Sequence, residues 1–263
     1  MPQLIAVQDV VKLYRAGIKP VHAVDHVSFD IEEGSFVSIV GPSGCGKSTL
    51  LKIIAGLLPW TSGTVRVNGR EVQGPLENVG MVFQSPVLLK WKTVLGNIML
   101  PVDFAKLDRG SHLERARSLI ELVGIQGFEE MYPYELSGGM QQRVSLCRAL
   151  VTDPQILLMD EPFGALDALT RDELDLELLR IWEEKRKTVL FVTHNIQEAV
   201  FLSDLVIVMS ARPGRVLERL KIELQRPRTM EMMGSRRFGE YAVQIRSMLA
   251  SSSSTPAAVG STT

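Results

Sequence analysis

The most informative segment for the fold is SFVSIVGPSGCGKSTLLKII, residues 35–54. Its first residues are apolar almost throughout, which is typical of a central parallel strand covered on both faces. Residues 41–48 match the phosphate-loop pattern G-x-x-x-x-G-K-[ST], and a helix is expected to start near Lys47. A glycine turn with an incidental lysine is the alternative, but the flanking strand and helix favour the phosphate loop. The stretch therefore predicts a parallel α/β core built around a phosphate-binding loop.

The residue types of this loop suit ATP. Glycines allow successive backbone N–H groups to converge on phosphate oxygens, and the following helix presents its positive end to the same anion. Lys47 is expected to reach the β and γ phosphates, and Ser48 to offer its hydroxyl to Mg²⁺. Cys45 fills a variable position and is assigned no chemistry of its own. The predicted nucleotide-binding residues here are Gly41, Pro42, Ser43, Gly44, Cys45, Gly46, Lys47, Ser48 and Thr49.

A second anion-binding pattern, LSGGMQQR at 136–143, precedes a helical run. Ser137 is expected to cap that helix, while the glycines expose backbone N–H groups at its start. Because one chain needs only one phosphate loop to hold ATP, the second surface is predicted to serve the nucleotide of another subunit. An ordinary capped helix is the alternative. The residues assigned to this surface are Ser137, Gly138, Gly139 and Gln141.

Further polar side chains follow the predicted strands QILLMDEP (155–162), TVLFVTH (188–194) and GMVF (80–83). Ligands bind at the C-terminal edge of parallel sheets. Asp160 is predicted to hold Mg²⁺, and Glu161 to accept a proton from the water that attacks the γ-phosphorus. A solvated acidic turn is the alternative. The catalytic assignments are Glu161, His194 and Gln84, and the metal assignments are Ser48, Gln84 and Asp160.

His194 is predicted to hydrogen-bond the γ-phosphate, and Gln84 to contact Mg²⁺ or the attacking water. Tyr14 is predicted to stack on adenine; an edge-strand aromatic without a ligand is the alternative. Asp167 is predicted either to bridge to a partner subunit or simply to cap the following helix. These four side chains extend the predicted site beyond the two main motifs.

The rest of the chain supports a mixed organisation. Two alternating segments, 4–14 and 23–31, predict an antiparallel sheet, and residues 94–150 have a helical pattern. Residues 170–187 are predicted to form a long helix, and residues 216–224 a short strand pair. The predicted boundaries are 1–225 for the main domain with a helical subdomain at about 91–153, 226–250 for a charged helical extension, and 251–263 for a disordered Ser/Thr-rich tail.

Composition excludes several classes of protein. Lys plus Arg number 29 and Asp plus Glu 30, so no overall positive field favours nucleic acid. No apolar run approaches the roughly 18 residues that span a bilayer, and the N-terminus lacks a secretion signal. The two cysteines, Cys45 and Cys147, are far apart and favour a reducing cytoplasm.

Tyr14, GPSGCGKST, Gln84, LSGGMQQR, ILLMDEP, GALD and His194 occur in this order and resemble the ATP-binding-cassette ATPase family over about residues 4–220. The resemblance implies a RecA-like phosphate-loop core, an N-terminal antiparallel β subdomain and a helical insertion carrying the signature LSGGMQQR. It also implies a homodimer that sandwiches two ATP molecules, with closure and reopening that drive a membrane permease.

More narrowly, the segments 83–98, 161–171 and 180–194 resemble the importer branch for nitrate, taurine and aliphatic sulfonates. This implies a peripheral subunit at the cytoplasmic face of the inner membrane, served indirectly by a periplasmic or extracellular substrate-binding protein. The family would place residues 86–91 in a groove for a permease helix; packing against the helical insertion is the alternative. Asn195 stands where Asp is usual, and Lys90 where the branch often has Pro.

Two other classes of protein also contain a phosphate loop. A soluble cassette ATPase of DNA repair, chromosome organisation or translation would usually carry a long coiled coil or two cassettes. The sequence shows no heptads, no internal repeat and no basic face. A phosphate-loop metabolic kinase is contradicted by LSGGMQQR and by the absence of an acceptor-site lid.

Overall fold

A computed structural model describes residues 3–15, 20–164 and 166–253. Within these residues the strands form a four-stranded sheet of order β2-β1-β4-β5 and a six-stranded sheet of order β10-β9-β3-β8-β7-β6. The strands are β1 Gln3–Tyr14, β2 Val21–Glu32, β3 Phe36–Val40, β4 Ser62–Val67, β5 Arg70–Glu71, β6 Val79–Val82, β7 Ile156–Asp160, β8 Thr188–Thr193, β9 Leu205–Met209 and β10 Val216–Lys221. The first sheet is antiparallel, as its alternating sequence predicted.

Helices cover the larger sheet and fill the insertion between β6 and β7. They are α1 Lys47–Ile54, α2 Val94–Ile98, α3 Leu100–Phe104, α4 Arg109–Leu122, α5 Gly138–Leu150, α6 Ala168–Lys185, α7 Ile196–Leu202 and α8 Arg236–Ser253. Helices α2 to α5 form the insertion, and α1 starts at the residue that the phosphate-loop motif indicated. No helix in the described ranges is both long enough and apolar enough to cross a membrane.

Strand β3 anchors the phosphate loop, which follows directly after it. It pairs in parallel with β8 on one side and β9 on the other, and all five of its residues are buried. Phe36 and Val40 belong to the core shared with the helical insertion, whereas Val37 and Ile39 belong to the core shared with α1 and the antiparallel sheet. Because strand side chains alternate between faces, one apolar strand joins both cores and fixes the loop that follows it.

The strand prediction after Pro213 was wrong in one respect. Residues 216–224 do not form a strand pair by themselves; β10 pairs antiparallel with β9, with Val216 opposite Met209. The apolar run of β9 was not recognised, because a run of five such residues does not distinguish a strand from part of a buried helix.

Both ends of α6 and the C-terminal end of α8 differ from the sequence prediction. Helix α6 begins at Ala168, because the Asp167 side chain accepts a hydrogen bond from the Thr170 N–H at 3.0 Å, and it ends at Lys185. Helix α8 continues to Ser253, so disorder from residue 251 was wrong for its first three residues. The Ser252 hydroxyl bonds back to the Leu249 carbonyl at 2.8 Å, as serine does within helices. The remainder of the predicted tail lies outside the described residues.

Candidate nucleotide site

The phosphate loop joins β3 to α1 through conformations that require glycine. Gly46 has φ +107°, and an added Cβ there would lie 2.4 Å from the Ala23 carbonyl oxygen. Lys47 is buried, and its Nζ donates to the carbonyls of Gly41 at 2.9 Å and Pro42 at 3.2 Å. The loop therefore curls around its own lysine, with the backbone held close to the antiparallel sheet.

A cavity of about 270 Å³ opens over this loop and is lined by half of the predicted site residues. It brings together residues from the antiparallel sheet, the phosphate loop and the ends of the parallel strands. Its lining consists of Tyr14, Val21, Ala23, Ser43, Gly44, Gly46, Lys47, Ser48, Thr49, Gln84, Glu161 and Arg212. A glycine-rich loop with a lysine at a helix N-terminus is suited to a polyphosphate.

The carboxylate of Glu161 lies at the centre of the predicted catalytic residues. Its Oε2 is 2.9 Å from Nδ1 of His194 and 3.5 Å from Nε2 of Gln84, and its Oε1 is 3.7 Å from Nζ of Lys47. Glu161 has φ +45°, a strained conformation for a residue with a side chain, and its N–H donates to the Val192 carbonyl at 2.8 Å. The strained strand end thus aims a carboxylate at the phosphate loop from between three polar side chains.

Asp160 and Ser48 offer oxygen atoms suited to Mg²⁺. The Ser48 hydroxyl donates to Oδ1 of Asp160 at 2.7 Å. Burial raises the pKa of Asp160, and the Ser48 hydrogen bond offsets only part of that rise. A divalent cation at these two oxygens would favour the ionised carboxylate, and hard oxygen ligands are those that Mg²⁺ prefers. The residues present therefore fit the predicted metal.

Tyr14 lies at the rim of the cavity. Its hydroxyl is 3.3 Å from the Thr49 hydroxyl, its residue is 38% exposed, and Nζ of Lys12 lies 5.1 Å from its ring centroid. The ring is anchored to the phosphate loop and remains accessible. Adenine stacking on it stays a prediction.

Ser137 and Gly139 belong to a second, separate cavity of about 520 Å³. Ser137 caps α5 by accepting a hydrogen bond from the Met140 N–H at 3.3 Å. The lining residues are Gly124, Ile125, Phe128, Ser137, Gly139, Met140, Arg143, Leu166, Asp167 and Thr170. None of them lines the first cavity, so a single chain does not bring the two surfaces onto one ligand.

Gln141 has a different position from the one its motif suggested. Its Nε2 donates to the carbonyls of Pro133 at 2.9 Å and Leu136 at 3.3 Å. The amide N–H groups therefore brace the loop that leads into Ser137, and Gln141 lines neither cavity. Gly138 also lines neither cavity. An added Cβ at Gly138 would meet nothing within 4 Å, so its backbone faces open space.

Cys45 is buried beneath the loop, and burial raises the pKa of its thiol, which agrees with a packing role. Sequence reasoning missed Arg212, whose guanidinium lines the first cavity and bonds to Gly44. The only available signal was a basic residue in a Pro- and Gly-containing turn, which does not reveal a contact made across the fold.

Two buried carboxyl groups lie behind His194. Glu198 on α7 and Asp175 on α6 are 5% and 1% exposed. Burial raises the pKa of Glu198 to about 7, with its hydrogen bond to Thr193 and the charges of Arg171 and His194 opposing the rise. Burial, reinforced by the neighbouring Glu198, also raises the pKa of Asp175 well above its usual range. This region therefore retains protons that ordinary carboxyl groups would lose.

Comparison with known proteins supplies the decisive observation. Residues 24–164, which include the phosphate loop, the signature and the acidic pair, match the family model described as ABC transporter. The chain belongs to the ABC transporter family. The resemblance to ATP-binding-cassette ATPases that the motifs indicated is therefore confirmed.

Relatives within the ABC transporter family cover almost the whole chain. The taurine import ATP-binding protein TauB of Rhizobium johnstonii is 48% identical over 236 residues, covering 88% of this chain and 90% of the relative. The aliphatic sulfonates import ATP-binding protein SsuB of Bacillus cereus is 43% identical over 225 residues, covering 86% and 88%. These similarities agree with the importer branch that the sequence resembles.

A solved structure supports the fold. A dimeric post-hydrolysis ATP-binding cassette with bound ADP and phosphate superposes with a TM-score of 0.76 at 33% identity. The match covers 84% of this chain and 100% of that one. The α/β fold class predicted from the sequence is confirmed.

Proposed function

We propose that this chain is the ATP-binding and ATP-hydrolysing subunit of an ABC importer, energising uptake of a small anionic nutrient through a separate membrane permease. The observation that carries the proposal is the position of Glu161, which contacts His194, Gln84 and Lys47 above the phosphate loop. A carboxylate there can accept a proton from a water that attacks a phosphate held by the loop.

In this proposal each polar group has a separate task. Lys47 and the loop N–H groups bind the polyphosphate, and His194 donates a hydrogen bond to its terminal phosphate. Ser48, Asp160 and Gln84 hold Mg²⁺, which when bound would neutralise charge on the phosphate oxygens. Glu161 holds the proton released by the attacking water. Tyr14 contacts the base.

We propose that the active form is a homodimer in which each chain supplies its Ser137 surface to the nucleotide of the other. Among the described residues, these two cavities share no lining residue, and the similar solved cassette is dimeric. A head-to-tail pair related by a two-fold axis would form both composite sites at once.

The permease partner is supported by the exposed segment 86–91. Val87 and Trp91 are 61% and 73% exposed, whereas Leu88 between them packs against the core that includes the helical insertion. The guanidinium of Arg148 fixes the segment by donating to the carbonyls of Pro86 and Val87, each at 2.8 Å. We propose that this rigid apolar surface receives a cytoplasmic helix of the permease.

The relatives support a proposal about the cellular setting and the cargo. We propose a peripheral location at the cytoplasmic face of the inner membrane and an indirect link to a periplasmic or extracellular substrate-binding protein. The cargo proposed is a nitrate-, sulfonate- or taurine-like anion, in keeping with the relatives named for taurine and aliphatic sulfonates. No nucleic-acid partner is proposed, since the net charge is −1.

We propose the following domain boundaries for residues 1–250. Residues 1–225 would form the ATPase domain with its helical subdomain at about 91–153, and the extension would begin at 226. Phe238 and Ile245 of α8 are buried in the same core as the helical insertion. The extension is therefore a packed part of the cassette and not a free appendage.

The proposal is tested by measuring ATP binding and phosphate release with and without Mg²⁺. We expect binding, together with Mg²⁺-dependent release that is stimulated when the permease is co-reconstituted in vesicles. Uptake of taurine, an alkanesulfonate or nitrate by those vesicles would then identify the cargo. A folded chain that does not bind ATP would overturn the proposal.

A further inference from the structure

The hairpin tip between β9 and β10, residues 210–215, is a rigid turn. The Ser210 hydroxyl lies 2.8 Å from the Ala211 carbonyl and 2.9 Å from the Pro213 carbonyl. It also accepts a hydrogen bond from the Arg215 N–H at 3.0 Å. The Ser210 hydroxyl thus links three residues of the turn and fixes the direction of the side chains that the turn presents.

Gly214 fastens this hairpin tip to the nucleotide site. Its N–H donates to the Ala23 carbonyl at 3.2 Å, and its carbonyl accepts from the Asp25 N–H at 2.9 Å. An added Cβ at Gly214 would lie 2.0 Å from the carbonyl oxygen of Cys45 in the phosphate loop. Only glycine permits this approach, so the tip lies directly against the loop.

Arg212 extends from the tip across the outer turn of the phosphate loop. Its Nε and Nη2 both donate to the Gly44 carbonyl, at 3.2 and 3.0 Å. Within the described part of the chain, its Nη1 has no hydrogen-bond partner and its guanidinium has no carboxylate partner. Arg215 in the same tip differs, because it pairs with Asp25 at 2.6 Å and does not line the cavity.

The cavity therefore contains a second cation besides Lys47. Lys47 lies 3.7 Å from Glu161, so part of its charge is balanced within the protein. The charge of Arg212 is balanced by no acid among the described residues. A guanidinium held at one edge, with free N–H groups beside a phosphate loop, is the arrangement that binds phosphate oxygens well.

We propose that Arg212 is a nucleotide-binding residue that directs its free N–H groups at the polyphosphate of ATP. The inference rests on the proposed function, since it names a further binding group of the same site. Arg212 contributes charge and hydrogen bonds to the bound nucleotide in the ground state and the transition state alike. Its loss therefore weakens binding without removing the chemistry at Glu161.

The test compares Arg212→Gln, Arg212→Lys and the matched control Arg215→Gln in the full chain. Calorimetry would measure the affinity for a non-hydrolysable ATP analogue with Mg²⁺ at low and high salt. We expect Arg212→Gln to weaken binding about fivefold to tenfold, because charge-assisted hydrogen bonds are lost. The deficit should shrink in high salt, Arg212→Lys should restore most of the affinity, and Arg215→Gln should match wild type.

Steady-state kinetics give a second readout. Arg212→Gln should raise KM for ATP with kcat nearly unchanged. Wild-type affinity in Arg212→Gln would overturn the inference while leaving the proposed function intact. A salt-independent loss that Lys does not restore would also overturn it, since that result indicates a packing role alone. Absence of ATP binding by the folded wild type would instead remove the proposed function, and this inference with it.

Discussion

The two cavities of this cassette use the same backbone device but differ in how their charges are engaged. Each contains glycine at the start of a helix: Gly44 and Gly46 before α1 in the first, and Gly139 of α5 in the second. In the second cavity, Arg143 donates to the Val123 carbonyl and lies 3.6 Å from Glu173, and Asp167 caps α6. Both charged side chains are therefore already engaged in contacts within the protein.

The first cavity keeps its charged groups facing the space that a ligand would fill. Lys47 and Arg212 line that cavity and donate to backbone carbonyls, and the Glu161 carboxylate contacts His194 and Gln84. In the proposed function, the first cavity would carry out the chemistry and the second would recognise phosphate through N–H groups. Each is incomplete alone, which is the physical basis for expecting two chains.

The largest effect should come from removing the proton acceptor of the first surface. In Glu161→Gln, ATP binding should persist while turnover falls about 10²- to 10⁴-fold, the usual contribution of a general base. Phosphate release and analogue binding, measured on the same preparation, separate the two. Glu184→Gln, at an exposed position of α6, is the control. Turnover close to wild type would show that Glu161 is not the acceptor.

A change confined to the second surface should also abolish most turnover, for a different reason. Ser137→Arg puts a bulky cation where the partner's nucleotide should lie, so turnover should fall about 10²-fold although a single subunit still binds ATP. Ser137→Ala, which loses the hydroxyl and its helix cap without adding bulk or charge, controls for stability and should cost roughly 1 kcal/mol. If Ser137→Arg turned over normally, the second surface would have no part in the reaction.

Removing the lysine of the first surface should weaken binding itself. Lys47→Ala loses charge-assisted hydrogen bonds to the nucleotide, so ATP affinity should fall about 10- to 100-fold. Calorimetry measures this change, and Lys52→Ala, an exposed lysine on the same helix, is the matched control. Unaltered affinity in Lys47→Ala would mean that the phosphate loop does not hold the nucleotide as proposed.

The smallest expected effect is on the free energy of unfolding and involves Glu198, which lies behind His194. The pKa of Glu198 is about 7 in the fold against an ordinary 4.5, so the folded state binds this proton more tightly than the unfolded state. The free energy of unfolding should therefore decrease as pH rises from 4.5 through about 7. Facing groups that shape this titration are Asp175, Arg171, His194, Glu161 and Thr193.

Glu198→Gln should remove that loss and become more stable than wild type above neutral pH, by on the order of 1–3 kcal/mol. Denaturant unfolding at pH 5 and pH 8 measures the difference, with exposed Glu114→Gln as control. An identical pH dependence in Glu198→Gln and wild type would contradict the account of this buried pair.

Sequence reasoning found the parts of the site that lie in contiguous motifs. Lys47, Ser137 and Glu161 could be assigned because a strand, a loop and a helix start within a few residues of each. Arg212 could not, since its contact with Gly44, 168 positions earlier, depends on β9 lying beside β3. The bracing role of Gln141 was hidden for a similar reason, because the carbonyls it contacts are revealed only by the loop geometry.

The division of labour between the two surfaces is tested most directly by the mass of Glu161→Gln in solution. Light scattering would be recorded with and without ATP and Mg²⁺, beside the double variant Glu161→Gln/Ser137→Arg and with ATP binding verified in each. We expect Glu161→Gln to shift from monomer to dimer on adding ATP, and the double variant to show no shift. ATP-bound Glu161→Gln that stays monomeric, or a double variant that still dimerises, would contradict it.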